Sequence, residues 1–373
     1  MRVAIDVTPL LGAPTGVSQS LRGLLGGLEG ATSGVEVLPY VLSGRAARHG
    51  PVTVHGLAAI ALPLPAGLTI RAWGRLDRPR ADRWLAGADV VHGSNFVVPP
   101  MRRPPTTATI HDCWCARHPE RCTGDVSAFT SAVRRAVARG AWLHVTTAHG
   151  AAEVAEVYGA VERVAVIPFG VPTAADPPAP PGPIPAPLAG RRYVLALGAV
   201  DPRKGLPGLV RAFSAVADGD PDVLLGLAGP GGSGREELDE AIARLAPGTR
   251  ERVHHLGTVD DATRQGLLAG AAVLAYPSLD EGFGFPVLEA MAAGVPVVAS
   301  DAGALREVAG AAAVLVPVAD DDALAAALAK VLTDVACRAA LVTAGRSRAA
   351  TYTWERTAAG MVDLWRRAVE AGP

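Results

Sequence analysis

"AVLAYPSLDEGFGFPVLEAMAAGVPVVAS", residues 272 to 300, decides the fold class. It passes from an apolar strand, AVLAYP (272–277), through a loop, SLDEGFG (278–284), into a helix, PVLEAMAAG (286–294), and out into a second strand, PVVAS (296–300). Pro286 suits the first position of that helix, where its missing N–H is not needed, and Gly294 suits the C-terminal cap. Strand, helix, strand in this rhythm is the repeating unit of a parallel sheet covered by helices on both faces.

The rhythm extends in both directions. The first half shows it at VAIDV (3–7), DVVHG (89–93), TATIH (107–111), LHVTT (143–147) and VAVIP (164–168). The second half shows it again at YVLALG (193–198), VLLGLAG (223–229), VHHLG (253–257) and AVLVP (313–317). Between the halves lies a proline-rich stretch, 171–190, which favours an extended spacer over helix or sheet. The expected fold class is α/β: two doubly wound Rossmann-like domains facing one another across a cleft. The expected boundaries are 1–172, a linker over 173–190, 191–352, and a terminal helix over 353–373. That helix carries Trp354, Met361, Leu364 and Trp365 near one stripe and is expected to return to the first domain. Ligands bind such sheets beyond the carboxyl ends of their strands, so functional residues are expected there.

A length of 373 residues suits two ordinary domains, and a net charge of −1 gives no global attraction to nucleic acid. The cysteines at 113, 115, 122 and 337 suggest no disulfide framework, which fits a reducing, cytoplasmic setting. Asp6 interrupts the apolar opening and spoils a signal-peptide core, and the run at 56–70 contains prolines and makes a poor membrane span. All but two of the 35 basic residues are Arg, the exceptions being Lys204 and Lys330.

Glu281 and Glu289 flank a Gly-Phe-Gly turn. Paired carboxylates suggest glycoside hydrolysis, but the setting favours recognition. Gly282 and Gly284 allow backbone N–H groups to approach a ligand, and a helix start attracts negative charge. Glu289, one turn inside, is suited to accept hydrogen bonds from ribose hydroxyls, and Glu281 from those of a sugar. The plainer alternative is that both only cap and solvate a helix start. Arg203 and Lys204 in GAVDPRKG follow the first strand of the second half, where two cations suit a diphosphate.

EGFGFPVLEAMAAGVPVVAS (281–300) resembles the signature of the retaining glycosyltransferases of family 4, which have the GT-B fold. The likeness continues through TGV (15–17), ATIHD (108–112), VIPFGV (166–171), LALGAVDPRKGLPGLVRAF (195–213), LAGPGGSG (227–234), HHLGTVDDA (254–262) and TYTWERTA (351–358). The resemblance implies transfer of a hexose from a nucleotide-diphosphate sugar, with retained anomeric configuration and with neither metal nor cofactor. GDP-mannose is the first donor to consider, because this form of the signature is similar to that of many mannosyl- and rhamnosyl-transferring members. Glycan, lipid-linked and small-molecule acceptors stay open. It further implies that Glu281 holds the donor sugar, that Glu289 holds the ribose, and that the segment Gly282, Phe283, Gly284, Phe285, Val287 and Leu288 borders the donor. Lys204, with Arg203, meets the diphosphate, Gly16 offers a backbone amide to donor phosphate or acceptor, and His111 faces the reaction centre. Many members carry an Arg directly after the first glycine of the GAVDPRKG segment; here that position is Ala199, which leaves Arg203 to do its work. A nucleotide-sugar epimerase or hydrolase of the same fold, and an inactive donor-binding subunit, are the alternatives.

Three further features have competing readings. GPGGSG (229–234) matches a dinucleotide fingerprint formally, but the next strand, VHHLG, ends without the acidic residue such a site needs. Cys113, Cys115 and Cys122 with His111 and His118 match no standard zinc spacing. Residues 71–84 contain Arg71, Arg75, Arg78, Arg80 and Arg83 with Trp73 and Trp84, suited either to peripheral contact with anionic lipid or to an ordinary solvated helix and turn broken at Pro79, with the tryptophans packed inward and Asp77 and Asp82 pairing with arginines.

Overall fold

The apolar runs become central strands, because a strand covered on both faces has no solvent side. The computed structural model describes residues 1–12, 15–30, 34–45, 47, 52–54, 56–122, 124–160, 162–171 and 182–372. The chain forms two units, Met1–Gly170 with Thr353–Pro373, and Val171–Tyr352.

The strands of the first unit are β1 (Arg2–Asp6), β2 (Glu36–Leu42), β3 (Val52–Val54), β4 (Leu57–Leu62), β5 (Val90–Gly93), β6 (Thr106–Thr109), β7 (Trp142–Val145) and β8 (Val164–Val166). Its helices are α1 (Gly16–Gly30), α2 (Ala66–Trp73), α3 (Trp114–Arg117), α4 (Gly124–Ala138) and α5 (Ala148–Tyr158). The sheet order is β3-β4-β2-β1-β5-β6-β7-β8, parallel except for the β3–β4 pair. Its direction of growth reverses between β1 and β5.

The second unit contains β9 (Tyr193–Leu197), β10 (Leu224–Ala228), β11 (Val253–Gly257), β12 (Val273–Tyr276), β13 (Val297–Ser300) and β14 (Val314–Val316). Around them lie α6 (Leu206–Gly219), α7 (Arg235–Ala243), α8 (Pro247–Arg250), α9 (Asp261–Gly270), α10 (Phe285–Ala293), α11 (Leu305–Ala309), α12 (Asp321–Thr333) and α13 (Val335–Ala349). The all-parallel order β11-β10-β9-β12-β13-β14 is the doubly wound pattern, with its switch point between β9 and β12. The α10 crossover opens at Gly284 (φ 85°) and closes at Gly294 (φ 77°), both in the left-handed region that glycine enters without strain.

The terminal helix, α14 (Trp354–Ala371), belongs to the first unit and packs on α1. A Cβ on Gly23 would lie 2.0 Å from the Trp354 ring, and one on Gly27 would lie 2.5 Å from the Trp354 carbonyl oxygen. Small residues on α1 therefore let the two backbones approach. Met361, Leu364 and Trp365 are fully buried on the packed face.

The linker expectation needs a correction where it is described. Residues 172–181 lie outside the described residues, but 182–190 pack on the second unit: the Gly182 amide donates to Ala262 O at 3.2 Å and Leu188 is fully buried. The cysteine expectation also fails, since Cys115 and Cys122 form a disulfide, which uses two of the thiols considered for a metal cluster. The glycines of GPGGSG serve close loop packing: a Cβ on Gly229 would lie 1.8 Å from Gly198 O, and one on Gly232 would lie 2.5 Å from Val200 O.

Candidate functional site

Lys204 and Glu281 emerge from adjacent strand ends at the switch point of the second sheet. Lys204 ends a short 3-10 turn, Pro202–Lys204, directly after β9. Asp201 caps this turn by accepting from the Arg203 amide at 2.9 Å, and Gly205 (φ 62°) closes it. The Leu279 amide donates to Arg203 O at 2.7 Å, tying the turn to the loop after β12.

The Lys204 ammonium forms a short ion pair with Glu281 Oε1 and donates to the Tyr276 hydroxyl at 3.0 Å. Tyr276 and Ser278 donate to the same carboxylate oxygen at 2.9 and 2.8 Å. All three bonds fall on Oε1, leaving Oε2 with no hydrogen bond from a described residue. Glu281 is only 5% exposed. Burial opposes ionisation of both partners, but their mutual attraction outweighs it: the Glu281 carboxyl is held below its usual pKa, with Arg203 assisting, and the Lys204 ammonium above its own. Burial, with the Glu281 charge beside it, pushes Tyr276 up to about 12. An ionised Glu281 is the opposite of the raised-pKa acid that a glycosidase needs.

The mouth of α10 gives a mixed result for the residues expected to border a donor. Gly282, Phe283 and Gly284 are buried at the loop, and Phe283 meets the rings of Phe285 and Tyr352 edge-on at 5.1 and 5.9 Å. Gly284 also lacks room for a side chain, because a Cβ there would press on Leu305 at 2.6 Å. The Val287 and Leu288 side chains are fully buried in the core, and the Val287 amide donates to Gly284 O at 3.0 Å. Their part is to anchor the helix. Glu289, buried on α10, pairs with Arg264 of α9. The two glutamates thus have separate cations and share no proton.

In the first unit, Gly16 is the exposed first residue of α1. Thr15 and Ser18 cap that start reciprocally, Thr15 N donating to Ser18 Oγ at 2.8 Å and Ser18 N to Thr15 Oγ1 at 3.2 Å. The Gly16 amide has no hydrogen bond to a described residue. His111, just beyond β6, is partly buried among Phe96 and Phe169. Its Nε2 lies 3.0 Å from Ser94 O, so Nε2 carries the proton and Nδ1 the lone pair in the neutral ring. Burial lowers its pKa, against opposition from Ser94 and Asp112, which favours that neutral form.

Two other histidines, His92 and His144, form a buried chain behind it. His144 Nε2 donates to Ile167 O at 2.8 Å, so Nδ1 must accept from Thr109 at 2.9 Å. Thr109 then receives from His92 Nε2 at 3.2 Å, and His92 Nδ1 accepts from Thr107 at 2.8 Å. Both rings are neutral in this order, and burial first, neighbouring imidazoles second, lower His92 to about 3; burial also brings His144 to about 4. Their strand positions in DVVHG and LHVTT were readable, but the cross-strand register that joins them was not.

In the segment 71–84 the ordinary reading holds for the aromatic half. Trp73 is 2% exposed and donates to Pro79 O at 2.8 Å, and Trp84 is partly buried with the Arg83 guanidinium over its ring at 3.9 Å. Asp77 pairs with Arg135 and Arg139. What faces solvent is Arg71, Arg75, Arg78 and Arg83, with Leu68 and Leu76 at 68% and 62% exposure. Among the described residues no helix is long and apolar enough to cross a membrane.

Comparison with known proteins agrees with this geometry. A family model described as Glycosyltransferase Family 4 matches residues 14–175, and one described as Glycosyl transferases group 1 matches 191–334. O-antigen chain mannosyltransferase B of Escherichia coli is 38% identical over 110 residues, 29% of this chain and 28% of that protein. A phosphatidyl-myo-inositol mannosyltransferase of Mycobacterium leprae is 37% identical over 105 residues, 28% and 26% of the two chains. The chain therefore spans under a third of the length of these curated relatives. Among solved structures, sucrose-phosphate synthase from Thermosynechococcus elongatus superposes with a TM-score of 0.75 at 22% identity, covering both chains fully. Anabaena HepE, solved with UDP and glucose, gives 0.72 at 17% identity over 98% of this chain and all of that one. These structural likenesses carry the fold alone. With one model on each half and the doubly wound sheets beneath them, the chain belongs to the group 1 glycosyltransferases of family 4 type.

Proposed function

We propose that this chain transfers a hexosyl group from a nucleotide-diphosphate sugar to a hydroxyl acceptor, retaining the anomeric configuration and using no metal. The observation that carries this reading is the Lys204–Glu281 pair at the switch point of the second sheet. A ligand there meets a cation, a carboxylate with an uncommitted oxygen, and the loop that opens α10.

In this reading Lys204 and Arg203 stabilise the charge that grows on the leaving diphosphate, and Glu281 Oε2 accepts a hydrogen bond from a donor-sugar hydroxyl. Glu289, oriented by Arg264, holds the ribose. Gly16 offers its amide to the diphosphate or acceptor, and neutral His111 offers Nδ1 to a hydroxyl. The acceptor proton passes to the departing diphosphate, so no strong base is needed. GDP-mannose is the first donor to test, since two of the curated relatives are named mannosyltransferases. The setting is cytoplasmic, with the exposed arginines of 71–84 resting on anionic lipid when the acceptor is lipid-linked.

Thermal unfolding against a panel of nucleotides and nucleotide sugars tests the reading, because a ligand at a hundred times its Kd adds roughly 2.7 kcal/mol. The expected result is stabilisation by one nucleoside diphosphate and its sugar, followed by acceptor-dependent release of that diphosphate. Absence of any nucleotide effect defeats the proposal, and acceptor-independent release turns it into a hydrolase.

A further inference from the structure

The loop after β12 is tied down along its backbone. The Leu279 amide donates to Arg203 O at 2.7 Å, the Ala304 amide donates to Glu281 O at 2.9 Å, and the Ser300 hydroxyl donates to Ser278 O. These bonds leave the Glu281 side chain free to rotate, and two hydroxyls remove that freedom. Tyr276 closes β12 at 3% exposure, and Ser278, fully buried, follows two residues later.

The direction of each bond follows from what each group can do. An ammonium only donates, so the Tyr276 oxygen accepts from Lys204 and its own proton goes to Glu281. An ionised carboxylate only accepts, so the Ser278 proton goes there too. Together with the Lys204 ion pair, three donors meet on Oε1, and no described residue donates to Oε2. Stability alone would favour sharing donors between the two oxygens, since each buried acceptor left unpaired costs free energy. The uneven arrangement keeps one oxygen for a ligand. Burial opposes ionisation of Glu281, and Lys204, Arg203 and the Ser278 hydroxyl overcome it. The rest of β12, Val273, Leu274 and Ala275, is apolar and fully buried, so a phenylalanine at 276 would serve its packing equally well. The tyrosine oxygen serves the carboxylate.

We propose that Tyr276 and Ser278 are positioning residues, whose hydroxyls fix the rotation of Glu281 so that Oε2, and not Oε1, meets the sugar of the donor. The inference rests on the glycosyl-transfer reading for the identity of that ligand. Neither hydroxyl touches the ligand; both act through Glu281.

Tyr276→Phe, Ser278→Ala and the double variant remove only hydroxyl oxygens and are tested in the full chain. Calorimetric titration uses GDP, GDP-mannose, UDP and UDP-glucose. The double variant is expected to bind about tenfold more weakly the diphosphate sugar that the wild type binds, with the matching bare diphosphate within about twofold. A loop that had merely loosened would weaken both alike. The carboxylate itself is read at neutral pH by 13C NMR of protein labelled at the glutamate side-chain carboxyl, its resonance assigned by its loss in Glu281→Gln. That resonance is expected to shift toward those of solvated glutamates in the double variant. Equal losses for the bare diphosphate and its sugar, or an unmoved resonance, overturn the proposal. Should the double variant unfold, which circular dichroism reads, the single variants decide, each with about a threefold loss of the same kind. Wild-type protein that binds neither nucleotide nor nucleotide sugar counts against the transferase reading alone, and the resonance then decides whether the hydroxyls hold the carboxylate.

Discussion

Lys204 and Glu281, 77 positions apart in the chain, meet across the β9–β12 pair, where the order of the second sheet reverses. Neither charge is well placed without the other. Removing one partner of such a buried pair leaves an uncompensated charge and costs about 3–5 kcal/mol. Glu281→Gln and Lys204→Met are therefore each expected to lower unfolding free energy by roughly that amount, and the double variant by less than the sum. Urea unfolding of the four proteins measures this coupling; strict additivity would contradict the pairing.

The same pair refines the kinetic expectation. If Glu281 holds the donor sugar as proposed, Glu281→Gln loses that contact and releases Lys204 together, so turnover is expected to fall strongly and affinity for the bare nucleoside diphosphate to change less. Glu289→Gln and Arg264→Ala are expected to weaken the bare diphosphate together, because one orients the other. Calorimetric titration of all three variants separates the roles, and equal losses across them would argue against separate sites for the two glutamates.

In the proposed reading Arg203, Lys204 and backbone amides take the part of a divalent ion, so transfer is expected to survive a chelator. Activity measured after EDTA treatment and dialysis checks this, and full loss restored by metal would overturn it.

Acid is expected to destabilise the first unit through His92 and His144. Their folded pKa values lie below the usual 6.5, so their contribution is complete above pH 6.5 and is lost as pH falls toward 4 and 3. Asp6 acts in the opposite sense: with its pKa raised to about 6, its contribution is present below 3.8 and is lost as pH rises through 6. Near pH 5 the unfolded chain binds two more protons at the histidines and one fewer at Asp6, a net of one, so these groups give a slope of about 1.4 kcal/mol per pH unit. Asp6→Asn is expected to double that slope. Unfolding free energies at several pH values read it out, and an unchanged slope would mean that burial does not raise the Asp6 carboxyl.

Binding to anionic liposomes is expected to rest on arginine charge and not on tryptophan. Each basic residue near such a surface contributes about 1 kcal/mol, so Arg75→Gln with Arg78→Gln should weaken co-sedimentation markedly. A wild-type protein that ignores the vesicles at low salt, where screening is least, would remove this surface from consideration.

Much of the fold was legible because parallel strands buried on both faces leave long apolar runs, as at YVLALG and VLLGLAG. The run at 36–42 escaped because Pro39 sits inside β2, between β1 and β4, where proline normally argues against an interior strand. The strand at 57–62 was hidden in a stretch judged only for its fitness to span a membrane, and the strand at 52–54 is too short to show a period. Within the site, Lys204 and Glu281 stood out as charges in loops after strands, and Glu289 as a charge one turn inside the helix that follows. Arg264 did not, because a lone Arg on an amphipathic helix looks like solvated surface, and Tyr276 looked like one more apolar strand residue. Trp73 packs inward, as the ordinary reading of 71–84 expects.

The packing of α14 on α1 has a consequence for synthesis on the ribosome. Residues 171–352 can leave the exit tunnel and complete their own hydrophobic core while the first unit still lacks its final helix. Until residues 353–373 emerge, the groove at Gly23 and Gly27 and the bed of Trp365 stay open to water, so the unit whose sheet is made earlier is completed later than its neighbour. An early stop codon near position 353 would therefore release a chain with a well-formed second unit and a first unit in need of a chaperone.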